Sequence, residues 1–529
     1  MGTVHAKAEP GESVEMGGGL FEFEEPLEME DEPIAKPTIK LNGVRARVDR
    51  VHVDGLNRTK DDIIRSTVDE LFQASDFEDV ILRAHKVRRA LDAMGCFRDI
   101  GVFIDVSSGP DATPEGLEVT FQVRELSRIV GGINTTVSEN EGNLVLGVKM
   151  PNVLGRGERV QAEYSMGYRS SSNFSVAATK PFPQKPLVPV LAASLYQQNH
   201  EYPSSGYRLL DRGLLLDLAF KTSPATRHNV QWEGLVRDTS VLSKTTSFKV
   251  RESSGPQMKS ILRHIVCVDH RDEPIFPTRG TWVQFTSELA GLGGGVANLK
   301  TELHAQANAT LMEDVFTSEL AGLGGGVANL KTELHAQANA TLMEDVFTSE
   351  LAGLGGGVAN LKTELHAQAN ATLMEDVVLQ MTGALGVLHD VFGTELPDHF
   401  YLGGPTSLRG FQQRGVGPHN DGQATGGRVY WAGGLHVFAP LPFQGARSGL
   451  GALFRSHLFL NAGCLAMPEG TGLASLEALR LARVSCGAGI CVRLGRAARL
   501  ELNYAVPLRA QPHDMHAPGL QFGVGANFL

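Results

Sequence analysis

The 529-residue sequence predicts a mainly β protein: a transmembrane antiparallel β-barrel of sixteen strands, preceded by one small α/β domain. Three observations predict it. After Leu126 helical periods nearly vanish, and sixteen segments alternate apolar with polar residues, leaving aside the extra copies of an internal repeat. Before Leu126 the elements run β-α-α-β-β. No stretch reaches the roughly 18 apolar residues of a membrane-spanning helix, whereas a membrane strand hides its apolar face in every second residue. Glycine, 60 of 529 residues with no collagen period, suits a sharply curved sheet.

Composition narrows the function. The net charge is −11, much of it within the first 32 residues, which argues against a nucleic-acid partner. The five cysteines, Cys96, Cys267, Cys464, Cys486 and Cys491, contain no CxxC pair. They are read as reduced, mostly buried thiols, with neither a disulfide framework nor a metal site. The amino terminus shows no apolar signal core and is too acidic for a matrix presequence, so entry into an organelle from the cytosol is expected unless the chain is processed. Met1-Gly2 lacks the Ser or Thr at position 6 that myristoylation needs.

In chain order, residues 1–43 form an acidic tail carrying Glu22, Glu24, Glu25, Glu28, Glu30, Asp31 and Glu32, too polar to offset its ordering entropy, so disorder is expected. In residues 44–125, Val44, Ala46 and Val48 begin a strand, and Val51 and Val53 continue it on the other parity, which predicts a bulge or a break near Arg50. Asn57 or Thr59 caps a helix reaching about Phe72, and Ser75 or Asp76 caps a second that ends at Gly95. Val102–Val106 and Leu117–Val123 alternate as strands.

Residues 126–529 carry the sixteen segments, beginning near Ile129, Asn143, Arg159, Asn173, Pro189, Leu209, Arg227, Lys259, Thr281, Ala297, Val377, Gly427, Phe454, Val484, Ala497 and Gly519. An even count returns both ends of the wall to one side. In Ala297–Leu311 the residues Leu299, Leu303 and Ala305 share one face, and Lys300, Glu302, His304 and Gln306 the other. That strand alone fits a soluble sandwich as well as a barrel; the number of such strands favours the barrel, with the apolar row toward lipid.

Residues 285–315 recur letter for letter at 316–346 and 347–377. Identical copies point to a very recent duplication or, as we read it, an error in a predicted transcript; removing two copies (62 residues) from 529 leaves 467. Translated as written, each copy adds a hairpin, which predicts either about twenty strands in the wall or an extruded flap. The GLGGGV segment is no phosphate loop, since a strand follows it. No catalytic constellation appears: there is no H-E-x-x-H and no G-x-S-x-G, so an enzyme is not expected, nor a cofactor.

The stretch Tyr401–Phe411, YLGGPTSLRGF, is a loop in which Leu408, Arg409, Gly410 and Phe411 place a permanent cation beside a glycine and a ring. These four residues resemble the signature loop of the BamA-like outer-membrane barrel assembly family. Further likenesses are Pro151–Gly157 (PNVLGRG), Pro277–Gly280 (PTRG), Tyr430–Gly434 (YWAGG) and the penultimate strand RLELNYAVPL. Tyr430–Gly434 and the single small domain resemble the mitochondrial branch. Together the resemblance covers residues 44–529 apart from the extra copies. The βααββ segment, with Gly95-Cys96-Phe97, is similar to the family's POTRA domain.

The resemblance carries expectations. Arg409 would fold into the lumen and meet an acidic wall residue, for which the candidate is Glu501; Arg499 and Arg493 remain rival partners for that carboxylate. The last strand carries Gln521, Gly523, Ala526 and Phe528 in the pattern of a mitochondrial β-signal. It would close on Ile129, Gly131, Gly132 and Ile133 as a lateral gate, where an incoming precursor pairs by β-augmentation. The implied function is insertion of β-barrel precursors, such as the import pore and the voltage-dependent anion channel, into the mitochondrial outer membrane as the core barrel of the sorting and assembly machinery. Implied partners are metaxin-type subunits, the inner-membrane cristae-organising complex and the lipid bilayer, with the POTRA domain in the intermembrane space. Alternatives are a chloroplast-envelope translocating channel, against which YWAGG and the single POTRA argue, a passive porin, which would lack the POTRA and the LRGF loop, and a soluble β-sandwich.

Overall fold

The alternation read from the sequence becomes hydrogen-bonded strands over most of the chain. A computed structural model describes residues 3–7, 45–108, 112–137, 142–167, 171–182, 187–273, 279–291, 296–310, 358–374, 377–390, 394–441, 453–467, 481–494 and 498–525. Two compact units emerge: Met1–Gly131 with Val148–Gln161 and Ala178–Pro189, and Gly132–Gly147 with Ala162–Ala177 and Val190–Leu529.

The first unit holds a four-stranded sheet, ordered β1-β2-β4-β3, from β1 (Thr3–Lys7), β2 (Arg47–Asp54), β3 (Phe97–Val106) and β4 (Gly116–Glu125). Helices α1 (Asp61–Val68), extended by a 3-10 turn to Gln73, and α2 (Phe77–Ala93) bury Ile64, Val68, Leu71, Val87 and Leu91 against Val51, Val53 and Phe121. The β2–β4 register shifts between Val48 and Arg50, at the expected bulge.

Within the expected tail, Thr3–Lys7 pairs in parallel with the outer edge of β2, which offers unpaired backbone groups; the rest of the tail, with the acidic residues 22–32, lies outside the described residues. One expectation is corrected. Thr59 does not cap α1, whose N-cap position is Lys60. Instead Thr59, with the N–H groups of Asn57 and Arg58, donates to Glu125 at 2.6–3.2 Å. The Asn152 side chain donates to Thr59 Oγ1 (2.8 Å), and Lys60 N–H to the Gly155 carbonyl (2.8 Å), tying this loop to the turn at Pro151–Glu158.

Burial alone would raise the Glu125 carboxyl pKa, but the hydrogen bonds from Thr59, Arg58 and Asn57 hold it below the usual range. Its stabilisation is therefore present above the ordinary carboxylate pKa and is lost as pH falls through the depressed one. We expect Glu125→Gln to lower the melting temperature of this unit at neutral pH, followed at the helical circular-dichroism band. The gap from wild type should close below about pH 4.

The wall lies for the most part in the second unit. Its strands are β5 (Val130–Val137), β6 (Gly142–Pro151), β7 (Arg159–Gly167), β8 (Ser172–Pro181), β9 (Val190–Tyr202), β10 (Tyr207–Lys221), β11 (Thr226–Val241), β12 (Gly255–Asp269), β13 (Gly280–Ala290), β14 (Val296–Thr310), β15 (Val358–Met374) and β16 (Val377–Asp390). After a long loop containing the two-residue strands β17 (His419–Asn420) and β18 (Gln423–Ala424) come β19 (Val429–Pro440), β20 (Phe454–Ala466), β21 (Arg483–Leu494), β22 (Ala498–Arg509) and β23 (Gly519–Gly525). All but β17 and β18 close into one barrel in which β23 neighbours β5. The apolar row faces out, as at Leu365 and Leu502, and the polar row faces in, as at Glu364 and Glu501. Among the described residues no helix is long and apolar enough to cross a membrane.

The strand count departs from expectation. Seventeen strands close the barrel among the described residues: the sixteen predicted and β15, drawn from the third repeat copy. Among the described residues the added element is one strand, and it pairs parallel and in register with its twin, Asn298 beside Asn360 and Leu303 beside Leu365. Identical strands in register place like on like on both faces. Outward leucines match, the Asn370 amide donates to Asn308 (2.7 Å), and the His304 and His366 rings stack at 4.3 Å. From β9 to β23 all other pairs of neighbours are antiparallel, so the one parallel step accommodates an odd number of strands in the wall. The middle copy lies outside the described residues.

The same pairing sets Lys300 beside Lys362 and Glu302 beside Glu364, like charges side by side. Deleting residues 316–377 should let β14 take the antiparallel partner β15 now has and yield sixteen strands. We expect this shorter chain to fold with an equal or higher melting temperature, read from gel mobility of unboiled samples.

Candidate functional site

The site is built by the loop between β16 and β19. Bridges Phe400–Gly427 and Leu402–Val416 shape it, and Phe400, Leu402, Leu408, Phe411 and Val416 pack on Ala384, Leu388, Tyr430 and Leu465 of the wall. Gly410 has φ +85°, and an added Cβ would lie 3.3 Å from both Pro507 N and Ser485 Cβ, so only glycine lets the chain turn so close to β21 and β22.

That turn delivers Arg409. Its side chain is fully buried, as is that of Glu501, and Arg409 NH2 donates to Glu501 Oε2 at 2.7 Å. Arg409 NH1 reaches Asn461 Oδ1 (3.4 Å), and the guanidinium lies 5.1 Å from the Phe459 ring centre. The rival partner Arg499 is also present: its Nε stands 3.0 Å from Glu501 Oε1, so the carboxylate is shared between two guanidiniums. Arg493 instead pairs with Glu273 (3.4 Å). Asn503 Nδ2 donates to Glu501 Oε2 (2.9 Å). Alternation along β22 explains the assembly: Arg499, Glu501 and Asn503 are buried inward, while Leu502, Tyr504 and Val506 are exposed outward.

The structure joins two sequence features that were read apart. Gly410 N–H donates to Gln521 Oε1 (2.8 Å), and Gln521 Nε2 donates to the Phe411 carbonyl (3.1 Å). Gln521, on the last strand, thus clasps the backbone of the loop motif. Gly523 lies opposite Glu501 in the β22–β23 register. On the first strand Ile133 is 68% exposed, and a Cβ at Gly131 or Gly132 would meet nothing within 4 Å; Ile129, exposed as well, lies just before that strand. Ala526 and Phe528 lie outside the described residues.

Other anchors escaped the sequence reading. Arg414, held at φ +58°, sits over Tyr202 (3.8 Å) and Tyr401 (4.0 Å) and donates to Tyr207 Oη (2.9 Å) and Ser205 Oγ (3.1 Å). Ser205 and Tyr207 are 209 and 207 residues away in sequence, so no local pattern could signal that side of the cage. Asp514, in the loop before β23, takes Arg483 in a fork (2.9 and 3.0 Å) and the N–H groups of Gln511 and Gly417. Burial would raise its carboxyl pKa, yet these bonds hold it below the usual range. Lys259 spans Glu395 (3.4 Å) and Asp398 (3.5 Å) at the root of the signature loop. Among the described residues, His457, Cys491 and Glu501 bring potential metal-ligand atoms within 4.8 Å, but two guanidiniums already occupy that carboxylate and would repel a cation.

A closed barrel with apolar residues outward, and a lumen loop pinned by a buried arginine–carboxylate pair, defines an outer-membrane-type β-barrel whose own loop braces its wall. The Omp85 superfamily domain pattern matches residues 152–345 and 345–528. The human sorting and assembly machinery component 50 homolog is 38% identical over 535 residues, covering 100% of both chains. A SAM50-like protein of Drosophila melanogaster is 33% identical over 497 residues, 92% of this chain and 96% of that one. BamA from Haemophilus ducreyi lacking POTRA domains 1–3 shares the fold, with a TM-score of 0.62 at 14% identity over 91% of this chain and 84% of that one. The chain belongs to the Omp85 superfamily and, within it, to the family of sorting and assembly machinery component 50 homologs.

Proposed function

We propose that this protein inserts and assembles β-barrel precursors into the mitochondrial outer membrane through a lateral opening between β5 and β23, as the core subunit of the sorting and assembly machinery. One observation carries the reading: the last strand is held from within, by the side chain of Gln521 on the loop motif. The first strand adds little side-chain packing, because Gly131 and Gly132 have open space beside them. Such a joint parts at low cost if a guest strand replaces each backbone hydrogen bond lost, since unpaired groups in lipid cost several kcal/mol each. The guest's terminal strand would pair with β5 by strand addition.

In this reading residues 44–125 are a POTRA domain facing the intermembrane space, and the βααββ order and its ties to the turn at Pro151–Glu158 support it. Metaxin-type subunits and the cristae-organising complex are the expected partners. The protein acts by exchange of strands and not as an enzyme. The test is reconstitution: proteoliposomes containing the protein should convert a radiolabelled β-barrel precursor to a protease-protected, heat-modifiable form. Ion conductance without such conversion would make the protein a porin.

A further inference from the structure

The carboxylate that receives Arg409 is itself held by a chain of side chains from three strands. His436 Nδ1 and His457 Nε2 lie 3.0 Å apart, and His457 Nδ1 lies 2.9 Å from Asn503 Oδ1. Asn503 Nδ2 then donates to Glu501 Oε2 at 2.9 Å. All four side chains are buried. Valence orders the chain. A carboxylate only accepts, so Asn503 must present its NH2 to Glu501 and its oxygen to His457. His457 therefore donates from Nδ1, and as a neutral imidazole it accepts at Nε2 from His436. Phe438 stacks on His457 at 4.7 Å and 4°, and Phe459 lies 5.3 Å away on an imidazole that has little room to rotate.

Room for the chain is made at Gly434. A Cβ there would stand 2.3 Å from His436 Nε2, 2.8 Å from Thr382 Oγ1 and 2.9 Å from Asn461 Nδ2. Asn461 is also the residue whose oxygen takes Arg409 NH1. The same glycine thus borders both ends of the network around Arg409.

We propose that His436, His457 and Asn503 form a hydrogen-bond relay that positions Glu501 for Arg409, with Gly434 leaving the space the relay needs. Without His457 the Asn503 amide is free to turn its oxygen toward the carboxylate, which swings Glu501 away from the loop. The relay residues are positioning residues, and the inference rests on the reading that the Arg409–Glu501 lock serves insertion.

The experiment compares precursor insertion in proteoliposomes by wild type, Arg409→Ala, His457→Leu, His457→Gln and Gly434→Ala. Each variant is first checked for a closed barrel by its gel mobility unboiled. Glutamine offers a donor and an acceptor spaced like the two imidazole nitrogens; leucine offers neither. We expect His457→Leu and Gly434→Ala to insert about three- to tenfold more slowly, the loss of one buried hydrogen bond, and His457→Gln to stay near wild type. His457→Leu in an Arg409→Ala background should add no further loss. If Arg409→Ala inserts like wild type, the lock has no part in insertion, and the reading beneath the relay fails. If Arg409→Ala is impaired while His457→Leu and His457→Gln behave alike, whether both active or both impaired, the relay is overturned and the lock stands. Should His457→Leu fail to close its barrel, Gly434→Ala decides: wild-type insertion by that variant overturns the relay.

Discussion

Replacing Arg409 with alanine should reduce precursor insertion by about tenfold or more and destabilise the folded loop by about 3–5 kcal/mol. The cause is what remains behind: Glu501 is fully buried, and losing the 2.7 Å donor leaves part of its charge uncompensated. Arg499, 3.0 Å away, keeps the loss toward the lower end of that range. Arg409→Lys should fall between, because an ammonium cannot reach Glu501 and Asn461 at once as the fork does. The same shared carboxylate changes what a charge swap would do. An arginine at position 501 would face Arg499, so exchanging the two residues should restore function only in part. Limited proteolysis of the loop, alongside the insertion assay, checks both statements.

The second large effect concerns the seam. An oxidised cysteine pair joining Gly132 or Ile133 of β5 to a residue within Leu520–Val524 of β23 should abolish insertion, and reduction should restore it. Backbone exchange at this joint needs the two strands to separate, which a covalent bond forbids, while the closed barrel itself is the starting state and should be unharmed. Continued insertion by the oxidised protein would remove the gate. The native thiols leave room for the experiment, since Cys96, Cys464 and Cys491 are buried and none of the five is in a disulfide.

The wall was legible because alternation is a local signal. Each of the sixteen predicted segments became a strand, and the parity of Arg499–Val506 correctly put Glu501 inside. The meeting of Arg409 and Glu501 was visible only through family likeness, since 92 residues separate them. What stayed hidden depended on distance or on identity. The tyrosine cage of Arg414 joins residues on opposite sides of the sequence, and nothing near Gln413 or Gly415 announces it. The cap expected of Thr59 was lost because the helix begins only after Lys60, and the Thr59 hydroxyl instead accepts from Asn152, 93 residues away, while donating to Glu125. The repeat misled for a different reason: counting hairpins assumes antiparallel neighbours, whereas identical strands are complementary to themselves in parallel register.

The central claim, that a guest strand takes the place of β23 against β5, is tested most directly by trapping an arrested precursor in the act. Single cysteines along the guest's last strand would be paired with cysteines at Gly132, Ile133 and Asn134. The account predicts disulfides that follow one antiparallel register, and their disappearance when the guest's own terminal signal is scrambled. Productive insertion with no crosslink to β5, or crosslinks scattered without register, would contradict it.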